Sequence, residues 1–438
     1  MKISVFGLGY VGTVTAGCLA RDGHTVLGCD IDPNKVELLR GGRSPIVEEG
    51  MDALIEGAVG SGRLGVTVDA VEALAGTEIS FVCVGTPSQR NGSQDLTALR
   101  RLAAQLGEGL RGMDRWHTLV IRSTVTPGTV EEIVKPIVEQ HAAKRAAIDF
   151  GLCFQPEFLR EGSSIRDFDN PPFTVIGVDG PRSQGVLTDL FDPLPCETLA
   201  TSIRTAEMLK YCCNAFHALK ITFANEIGRV CQSTGVDSHE VMRLACLDTQ
   251  LNISPAYLRP GAAFGGSCLP KDLRALLYLA RQHDVDIPML GQILPSNSLH
   301  IDHAVDFVLH SGRKSVGLIG LSFKSGTDDL RESPLVAMAE RFIGKGLELG
   351  IYDPEANVAR LTGANRRFIE EAIPHISSLM KQSCEEVVRD AEIVVVGLSS
   401  PEIFDCLYRH IRADQTVLDL VDIPAVDQLE GTCQGVCW

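Results

Sequence analysis

The opening glycine-rich segment of the chain decides its fold: it reads Ile3-Ser4-Val5-Phe6-Gly7-Leu8-Gly9-Tyr10-Val11-Gly12. A β-rich run that leads directly into Gly-x-Gly-x-x-Gly and then into small residues is typical of a dinucleotide-binding strand–turn–helix. The glycines permit a tight turn and a close approach of the pyrophosphate, whose charge meets the free N–H groups and the positive dipole end of the helix. We therefore predict that Gly7, Gly9 and Gly12 bind a dinucleotide; the alternative is a turn that serves packing alone.

Asp30 ends the second β-rich run, where this fold places a carboxylate beside the ribose. A carboxylate there accepts hydrogen bonds from both ribose hydroxyls and repels a 2′-phosphate. The sequence therefore favours NAD over NADP, a preference that the nearby Lys35 would soften.

Outward from this segment, β-rich runs alternate with helical stretches in both halves of the chain. The runs fall at 3–6, 25–28, 79–84 and 119–122, and again at 315–319, 347–352, 393–396 and 417–420. Such alternation predicts parallel sheets covered by helices on both faces. Residues 205–234 have helical periodicity and precede Gly235, a plausible helix stop. The predicted fold class is α/β: two Rossmann-like doubly wound parallel-sheet domains joined by a long central helix and a helical middle domain.

The length of the chain, 438 residues, suits two or three domains, and its 45% hydrophobic and 22% charged residues are ordinary for a globular protein. We expect an NAD-binding domain at 1–202, a central helical domain with the linking helix and a cysteine loop at 203–300, and a second nucleotide-binding domain at 301–438.

The charge balance, 40 Lys and Arg against 56 Asp and Glu, gives a formal net charge of −16, which argues against broad binding to nucleic acid or anionic membranes. The chain enters the glycine loop without an apolar leader, and no apolar run approaches membrane-spanning length, so we expect a cytoplasmic location. The 14 cysteines are then expected to be reduced thiols. Neither Cys212-Cys213 nor Cys433 with Cys437 has zinc-site spacing, so we expect no metal.

Cys268 is the candidate nucleophile. It lies in the run Ala263-Phe264-Gly265-Gly266-Ser267-Cys268-Leu269-Pro270-Lys271-Asp272. A thiol near flexible glycines, with a cation and a carboxylate close behind it, has the surroundings of an activated thiolate. Together with the dinucleotide signature, this suggests an oxidation that proceeds through a covalent thioester. The alternative is a buried packing cysteine.

Polar residues follow two further predicted strands. Thr86 and Thr124 come after runs whose carboxyl ends face one crevice in a doubly wound sheet; turn or cap formation is the alternative for both. Glu157 and Glu161 share one face if their segment is helical. Either glutamate could then handle a proton or orient a water, although exposed Glu pairs usually do neither.

The linking helix carries a polar stripe. Its members on one helical face are Lys210, Asn214, His217 and Asn225. In a functional interpretation Lys210 stabilises an oxyanion and Asn214 holds a hydroxyl or a water. A solvated face is the alternative.

The second α/β domain repeats features of the first. Its segment 317–324 resembles a phosphate loop without the full fingerprint, and Asp353 follows its second run as Asp30 does in the first domain. We therefore expect both domains to bind nucleotides. Lys324 and Arg331 are suitable cations for a pyrophosphate, with unassigned surface charge as the alternative.

These motifs, in this order, resemble those of the nucleotide-sugar 6-dehydrogenases, the family of UDP-glucose and GDP-mannose dehydrogenases, from end to end. The landmarks are the segments 7–12, 156–161, 264–272 and 331–334. Three segments resemble the GDP-mannose branch rather than the UDP-sugar relatives in sequence: 220–226, 259–272 and the terminal Cys437-Trp438.

The resemblance implies a NAD-dependent four-electron oxidation of GDP-mannose at C6 to GDP-mannuronate, a uronate precursor for alginate-type polysaccharide. The Cys268 thiolate would trap the aldehyde as a thiohemiacetal, which is oxidised to a thioester and hydrolysed. The implied catalytic residues are Cys268, Lys210, Asn214, Asp272, Glu161 and Thr124. The cofactor contacts are Gly7, Gly9, Tyr10, Val11, Gly12, Asp30, Lys35, Thr86, Thr124, Lys271 and Arg331. The substrate contacts are Glu161, Lys210, Asn214, His217, Asn225, Tyr257, Arg259, Gly265 and Lys324.

Family members are dimers in which the linking helix packs against its mate. The resemblance thus implies a homodimer or higher homo-oligomer whose subunits share the substrate site through Asn225 and Arg259. The chain departs from the branch at Gln155, where Asn is usual, and at Ala256 and Ala262, where aromatic residues are expected. Three alternatives stay open: UDP-glucose oxidation, a two-electron dehydrogenase of the hydroxyacid or 6-phosphogluconate type, and a non-catalytic NAD-binding redox sensor.

Overall fold

The computed structural model describes residues 1–87, 89–90, 93–160, 162–254, 257, 260–266, 269–325, 329–356 and 369–437, without the side chains of 271, 272 and 275. The chain forms two compact units, Met1–Ala218 and Leu219–Trp438.

The N-terminal unit is built on an eight-stranded sheet. Its strands are β1 (Lys2–Phe6), β2 (Thr25–Cys29), β3 (Leu64–Thr67), β4 (Ile79–Val82), β5 (Thr118–Ile121), β6 (Gly151–Phe154), β7 (Thr174–Val178) and β8 (Thr198–Thr201). Their spatial order is β3-β2-β1-β4-β5-β6-β7-β8, and the neighbours pair in parallel except β6 with β7. The first six strands follow the order of a doubly wound dinucleotide-binding fold.

Helices cover the sheet of the N-terminal unit. They are α1 (Tyr10–Arg21), α2 (Pro33–Arg40), α3 (Met51–Gly60), α4 (Ala70–Ala75), α5 (Thr97–Arg111), α6 (Lys135–Ala142), α7 (Ser164–Asp169) and α8 (Pro181–Phe191), with a π-helical turn at Val130–Val134. Alternating strand residues enter two separate apolar cores, because successive side chains of a strand point to opposite faces. In β5, Leu119 and Ile121 join one core and Val120 joins the other.

The long helix α9 (Ile203–Thr234) belongs in part to each unit, as the sequence pattern predicted. Gly235 follows it with a φ of 73°, the left-handed backbone that favours glycine at a helix end. This confirms the predicted linking helix and its stop.

The C-terminal unit combines helices with a five-stranded parallel sheet. The helices are α10 (Ser238–Ala245), α11 (Leu269–Gln282), α12 (Pro288–Gly291), α13 (Ile293–His310), α14 (Pro334–Gly344), α15 (Ile376–Leu379), α16 (Cys384–Asp390) and α17 (Pro401–His410). The strands are β9 (Ser315–Ile319), β10 (Glu348–Tyr352), β11 (Ile393–Val396), β12 (Thr416–Asp419) and β13 (Thr432–Gly435), in the order β10-β9-β11-β12-β13.

The α/β class with two doubly wound sheets and helices between them is confirmed. The phosphate-loop interpretation of 317–324 stays a prediction: β9 ends at Ile319, and the next helix of the described chain begins at Pro334. The three-domain division stays a prediction. None of the helices in the described part of the chain combines the length and the apolar character that a bilayer crossing requires.

Candidate active site

The glycine loop after β1 has the backbone that a pyrophosphate needs. Gly7 has a φ of +90°, and a Cβ at Gly12 would lie 1.8 Å from the Gly7 carbonyl oxygen. A Cβ at Gly9 would meet nothing within 4 Å, so the turn is open on that side. Gly9 is also the N-cap of α1 and offers no side chain to the first-turn N–H groups. The loop therefore fits an anion held by backbone donors at a helix N-terminus.

Asp30 is buried at the end of β2 and fixes this loop. Its Oδ2 accepts from the Leu8 N–H at 2.6 Å, its Oδ1 accepts from the Asp32 N–H at 2.9 Å, and Lys35 Nζ lies 3.3 Å from Oδ2. A carboxylate has about four lone-pair sites, so capacity remains for a ribose hydroxyl. The loop and the carboxylate together fit NAD.

The loops after β4 and β5 meet at the carboxyl ends of the parallel strands, the same end of the sheet that carries the glycine turn, as the sequence predicted. The Thr86 hydroxyl donates to the Thr124 carbonyl at 2.7 Å, and Gln94 Nε2 donates to the same oxygen at 3.0 Å.

The Tyr10 hydroxyl donates to the Glu48 carboxylate. Glu48 also accepts from the backbone N–H groups of Gly162 and Ser164, at 2.8 and 2.9 Å. Tyr10 therefore orders the segment after β6.

A buried ion pair lies where α9 passes the segment after β6. Lys210 Nζ donates to the Glu157 backbone carbonyl at 2.6 Å and lies 3.0 Å from the Glu157 carboxylate. The two side chains are 9% and 10% exposed. The Phe158 ring centroid is 5.4 Å from the ammonium. The structure thus fixes the Lys210 ammonium group in a largely buried setting, which suits the stabilisation of a developing oxyanion.

Lys210, Asn214 and His217 line one cavity of about 650 Å³ in the N-terminal unit. The helical spacing of the stripe therefore brings three of its four members together. The fourth, Asn225, is exposed on α9. Glu157 and Glu161 were predicted to share one face if their segment is helical. The segment around Glu157 is not helical, so this condition is not met. Glu161 lies outside the described residues.

Several residues of this region were missed at the level of sequence. Glu207 is fully buried on α9 and accepts from the N–H groups of Gly128 and Val130 at 2.6 and 2.9 Å, which ties the helix to the loop after β5. Burial raises the pKa of Glu207. The signal available was its spacing, because Glu207 lies three residues before Lys210 and so extends the polar stripe of the linking helix. Glu157 was noticed as half of a pair, but not as the partner of Lys210.

The loop before the candidate nucleophile packs tightly in the C-terminal unit. A Cβ at Gly265 would lie 2.4 Å from the Glu332 carbonyl oxygen and 2.7 Å from Pro334 Cδ. Gly266 has a φ of +86° and lies against the Phe323 ring. The Asn297 side chain accepts from the Phe264 N–H at 3.0 Å and donates to its carbonyl at 2.8 Å. In this structure Gly265 serves close packing between 263–266 and the turn before α14.

Other predicted residues of the C-terminal unit have local partners. Arg331 donates twice to Asp329, each time at 2.8 Å. Lys324 is exposed, with its Nζ 5.5 Å from the Phe323 ring centroid. Asp353 accepts from the N–H groups of Leu321 and Ser322, both at 2.8 Å. The echo of Asp30 is therefore structural: each carboxylate fixes the loop after the first strand of its sheet.

The remaining predicted residues are only partly described. Tyr257 is 85% exposed with a φ of 62°. Cys268 and Arg259 lie outside the described residues, and of Lys271 and Asp272 only the backbone is described, at the start of α11. Among the described residues no cluster of His, Cys, Asp and Glu could hold a metal ion.

A doubly wound sheet with an open glycine turn, a buried ribose-side carboxylate and a fixed lysine in a cavity defines a dinucleotide-dependent oxidoreductase. Family models match three consecutive parts of the chain: the NAD binding domain of the UDP-glucose/GDP-mannose dehydrogenase family at 1–195, its central domain at 204–298 and its UDP binding domain at 317–424. The chain therefore belongs to the UDP-glucose/GDP-mannose dehydrogenase family, whose members are NAD-dependent nucleotide-sugar dehydrogenases.

Individual relatives match over different lengths. The GDP-mannose 6-dehydrogenase of Pseudomonas syringae pv. syringae is 46% identical over 439 residues, 100% of both chains. A crystal structure of a ternary complex of GDP-mannose dehydrogenase from Pseudomonas aeruginosa superposes with a TM-score of 0.96, at 46% identity and full coverage of both chains. The UDP-glucose 6-dehydrogenase of Rhizobium meliloti is 37% identical over 366 residues, 81% of this chain and 82% of the relative.

Proposed function

We propose that this protein oxidises GDP-mannose at C6 to GDP-mannuronate in two steps, each with NAD, and so supplies a uronate for polysaccharide of the alginate type. The observation that carries the substrate assignment is the end-to-end 46% identity to GDP-mannose 6-dehydrogenases, against 37% over about four fifths of the chain for a UDP-glucose enzyme. The site supports the reaction class, because a fixed cation and polar groups line a cavity in the unit that carries the dinucleotide loop.

NAD, when bound, supplies the hydride acceptor for each oxidation. Lys210 stabilises the alkoxide that forms as the C6 hydroxyl loses its proton, because its ammonium is fixed by Glu157 and shielded from water. Asn214, one turn further along the same cavity wall, holds the hydroxyl. Lys210, Asn214 and Thr124 are the members of the proposed catalytic set whose side chains the structure describes.

Cys268 is proposed as the covalent nucleophile. Its thiolate adds to the C6 aldehyde, and the resulting thiohemiacetal carries the C–H bond that the second oxidation breaks. Water then cleaves the thioester carbon–sulfur bond, which releases the carboxylate and regenerates the thiol. Asp272 and Glu161 are proposed to move the protons and to orient that water.

A homodimer that shares the substrate site is also proposed. Several large apolar side chains of α9 are exposed in the single chain: Phe216, Leu219, Ile221 and Phe223. An exposed apolar patch on an otherwise polar surface is typical of an interface, and a second copy of the helix is the partner that the family resemblance implies.

One assay separates this function from its alternatives. Purified protein is incubated with NAD and either GDP-mannose or UDP-glucose, and initial rates and the NADH formed per sugar consumed are measured. We expect faster turnover of GDP-mannose with about two NADH per sugar, the ratio that two hydride transfers require. A ratio of about one would indicate a two-electron dehydrogenase. Faster UDP-glucose turnover would reassign the substrate, and NAD binding without turnover would favour the redox sensor.

A further inference from the structure

Arg122 carries a buried guanidinium that none of the assigned roles explains. It follows β5 directly, it is 5% exposed, and it lines the same cavity as Glu157 and Lys210. Its Nη1 donates to Gln155 Oε1, whereas its Nε has no hydrogen-bond partner among the described residues. A buried charge is retained at a large desolvation cost unless opposite charge and hydrogen bonds compensate it, so this arginine requires a physical explanation.

The titratable groups whose charge influences Arg122 are two thiols and one carboxylate. Cys18 on α1 and Cys83 after β4 are close to it, and burial raises the pKa of each thiol to about 12, so both are neutral near pH 7. Glu157 is the carboxylate whose charge reaches the guanidinium. Burial lowers the pKa of Arg122, but a guanidinium stays charged at neutral pH.

Other charged or titratable groups of the cavity wall are engaged elsewhere or lie on α9. Arg160 and Asp167 pair with each other, with Arg160 Nη2 2.6 Å from Asp167 Oδ1. Lys210 pairs with Glu157 at 3.0 Å. Cys213 and His217 line the same cavity from α9. Glu157 therefore shares the cavity wall with two cations, Lys210 in direct contact and Arg122, which Gln155 joins to the same segment.

Gln155 connects Arg122 to the Pro156–Glu157 segment through hydrogen bonds. Its backbone N–H donates to the Ile121 carbonyl at 2.9 Å, which extends the pairing of β5 with β6. Its side-chain Nε2 donates to the Pro156 carbonyl at 2.9 Å, while its Oε1 accepts from Arg122. The next residue along the chain, Glu157, supplies both oxygens that hold Lys210 Nζ.

We propose that Arg122 and Gln155 are positioning residues for Lys210. Gln155 fixes the Pro156–Glu157 segment through its two side-chain hydrogen bonds, and Arg122 adds a second positive charge to the cavity wall that carries Glu157 and Lys210. The cluster of Arg122, Glu157 and Lys210 is then positive overall, which favours an oxyanion next to Lys210 over a neutral hydroxyl. This inference rests on the proposed function.

The test is the pH dependence of kcat/KM, measured with GDP-mannose and NAD on the full-length protein. In Arg122→Met we expect kcat to fall by about a factor of 10 to 100, as on loss of one preorganised electrostatic contribution. The limbs of the profile should move to higher pH, because removing a buried positive charge from the cavity wall favours the protonated form of titratable groups near it. Arg122→Lys keeps the charge but not the planar donor, so its kcat should fall with the limbs unmoved.

Gln155→Leu tests the hydrogen-bonding role of Gln155. A side chain of similar size without polar atoms can neither accept from Arg122 nor donate to the Pro156 carbonyl, so kcat should fall while the KM for NAD stays unchanged. Ser80→Ala is the matched control. Ser80 is a buried β4 residue of the same sheet, bonded to Ser4 at 2.6 Å and His117 at 2.7 Å, and it does not line the cavity. It should lower stability without moving the limbs.

Unmoved limbs in Arg122→Met, or a change in kcat no larger than that of Ser80→Ala, would overturn the inference. If Arg122→Met does not fold, a wild-type kcat in Gln155→Leu overturns it and a reduced kcat with unchanged KM for NAD supports it. Wild-type protein that forms no uronate overturns the proposed function, and this inference with it. Active wild type with variants that match the control overturns this inference alone.

Discussion

Lys210 is held in position by a single residue, which supplies both of its oxygen partners. The Glu157 carbonyl and carboxylate lie 2.6 and 3.0 Å from its Nζ. Removing one member of a buried pair leaves an uncompensated charge, which costs roughly 3–5 kcal/mol. The two residues are thus coupled, and Glu157 ties an irregular segment to Lys210 on α9 through both its backbone carbonyl and its carboxylate.

Cys268→Ser tests the covalent step at the scale of one atom. A serine hydroxyl is far less nucleophilic at neutral pH than a thiolate, so no thioester should form and GDP-mannuronate production should be lost. NAD binding should stay nearly unchanged, since the glycine loop is untouched. Product formation is followed by chromatography and NAD binding by fluorescence or calorimetry. Cys246→Ser, at an exposed thiol, is the control. Wild-type uronate output from Cys268→Ser would remove the cysteine from the mechanism.

Asp30→Asn tests cofactor choice. The amide removes the negative charge and one acceptor beside the ribose, while its remaining oxygen can still accept from the Leu8 N–H. Loss of a charge-assisted hydrogen bond of about 1.5–3 kcal/mol should raise the KM for NAD by at least about tenfold. Discrimination against NADP should shrink as the repulsion of the 2′-phosphate is lost. The two values of kcat/KM are compared, and an unchanged ratio for NAD and NADP would show that Asp30 only fixes the loop.

At the scale of elements, the loop before Cys268 depends on the absence of one side chain. In Gly265→Ala the added Cβ would lie 2.4 Å from the Glu332 carbonyl, a backbone atom that cannot rotate away. The loop must shift, and a displacement of about 1 Å near the chemistry can lower the rate about a hundredfold. Steady-state kinetics should show the loss in kcat with the KM for NAD unchanged. Gly57→Ala on α3, where a Cβ meets nothing within 4 Å, should behave as wild type. Full activity of Gly265→Ala would mean that the loop tolerates the shift.

The α9 surface yields a prediction about assembly. Phe216, Leu219 and Phe223 follow one another at helical spacings of three and four, and they are 36%, 48% and 41% exposed. Leu219→Asp places a charge in the centre of this face, so a dimer formed through it should dissociate. Light scattering coupled to gel filtration measures the mass. Val71→Asp, at an exposed valine of α4, is the control. A dimer mass retained by Leu219→Asp would place the interface elsewhere.

Elements with strong local signals could be predicted from the sequence, and those set by tertiary pairing could not. The glycine turn, Asp30 and the linking helix have fixed spacings, and the structure confirms the strand, turn and helix they define. The short strands β7 and β8 lack such a signal, and the antiparallel pairing of β6 with β7 depends on contacts distant in sequence. Lys210 could be found on its helical face, but its partner Glu157 lies on an irregular segment with no periodicity to read.

At the scale of the whole molecule, each unit uses a buried aspartate to fix the loop after the first strand of its sheet. Asp30 holds the Leu8 N–H and Asp353 holds those of Leu321 and Ser322. Among the residues that the structure describes, an open glycine turn leads from the first strand into a helix in the N-terminal unit but not in the C-terminal unit, so the repeat of the fold does not imply a repeat of the dinucleotide site.

A buried histidine predicts how stability depends on pH. His117, the residue before β5, is fully buried. Its ring nitrogens lie 3.0 Å from the Thr77 carbonyl oxygen and 2.7 Å from the Ser80 hydroxyl oxygen. Burial lowers the pKa of His117 to about 4 from 6.5. The unfolded chain therefore takes up a proton between those values that the folded protein does not. Stability is full above pH 6.5 and falls as the pH drops towards 4, by about 3 kcal/mol for this group.

His117→Asn removes the titrating ring, so the variant should lose less stability than the wild type on going from pH 7 to pH 4, even if it is less stable at neutral pH. Calorimetric unfolding temperatures at several pH values measure the difference. His239→Asn, at an exposed histidine of α10, should give a curve parallel to the wild type. Parallel curves for His117→Asn and the wild type would mean that the ring is not buried neutral, because a group whose proton affinity is equal in both states contributes no slope.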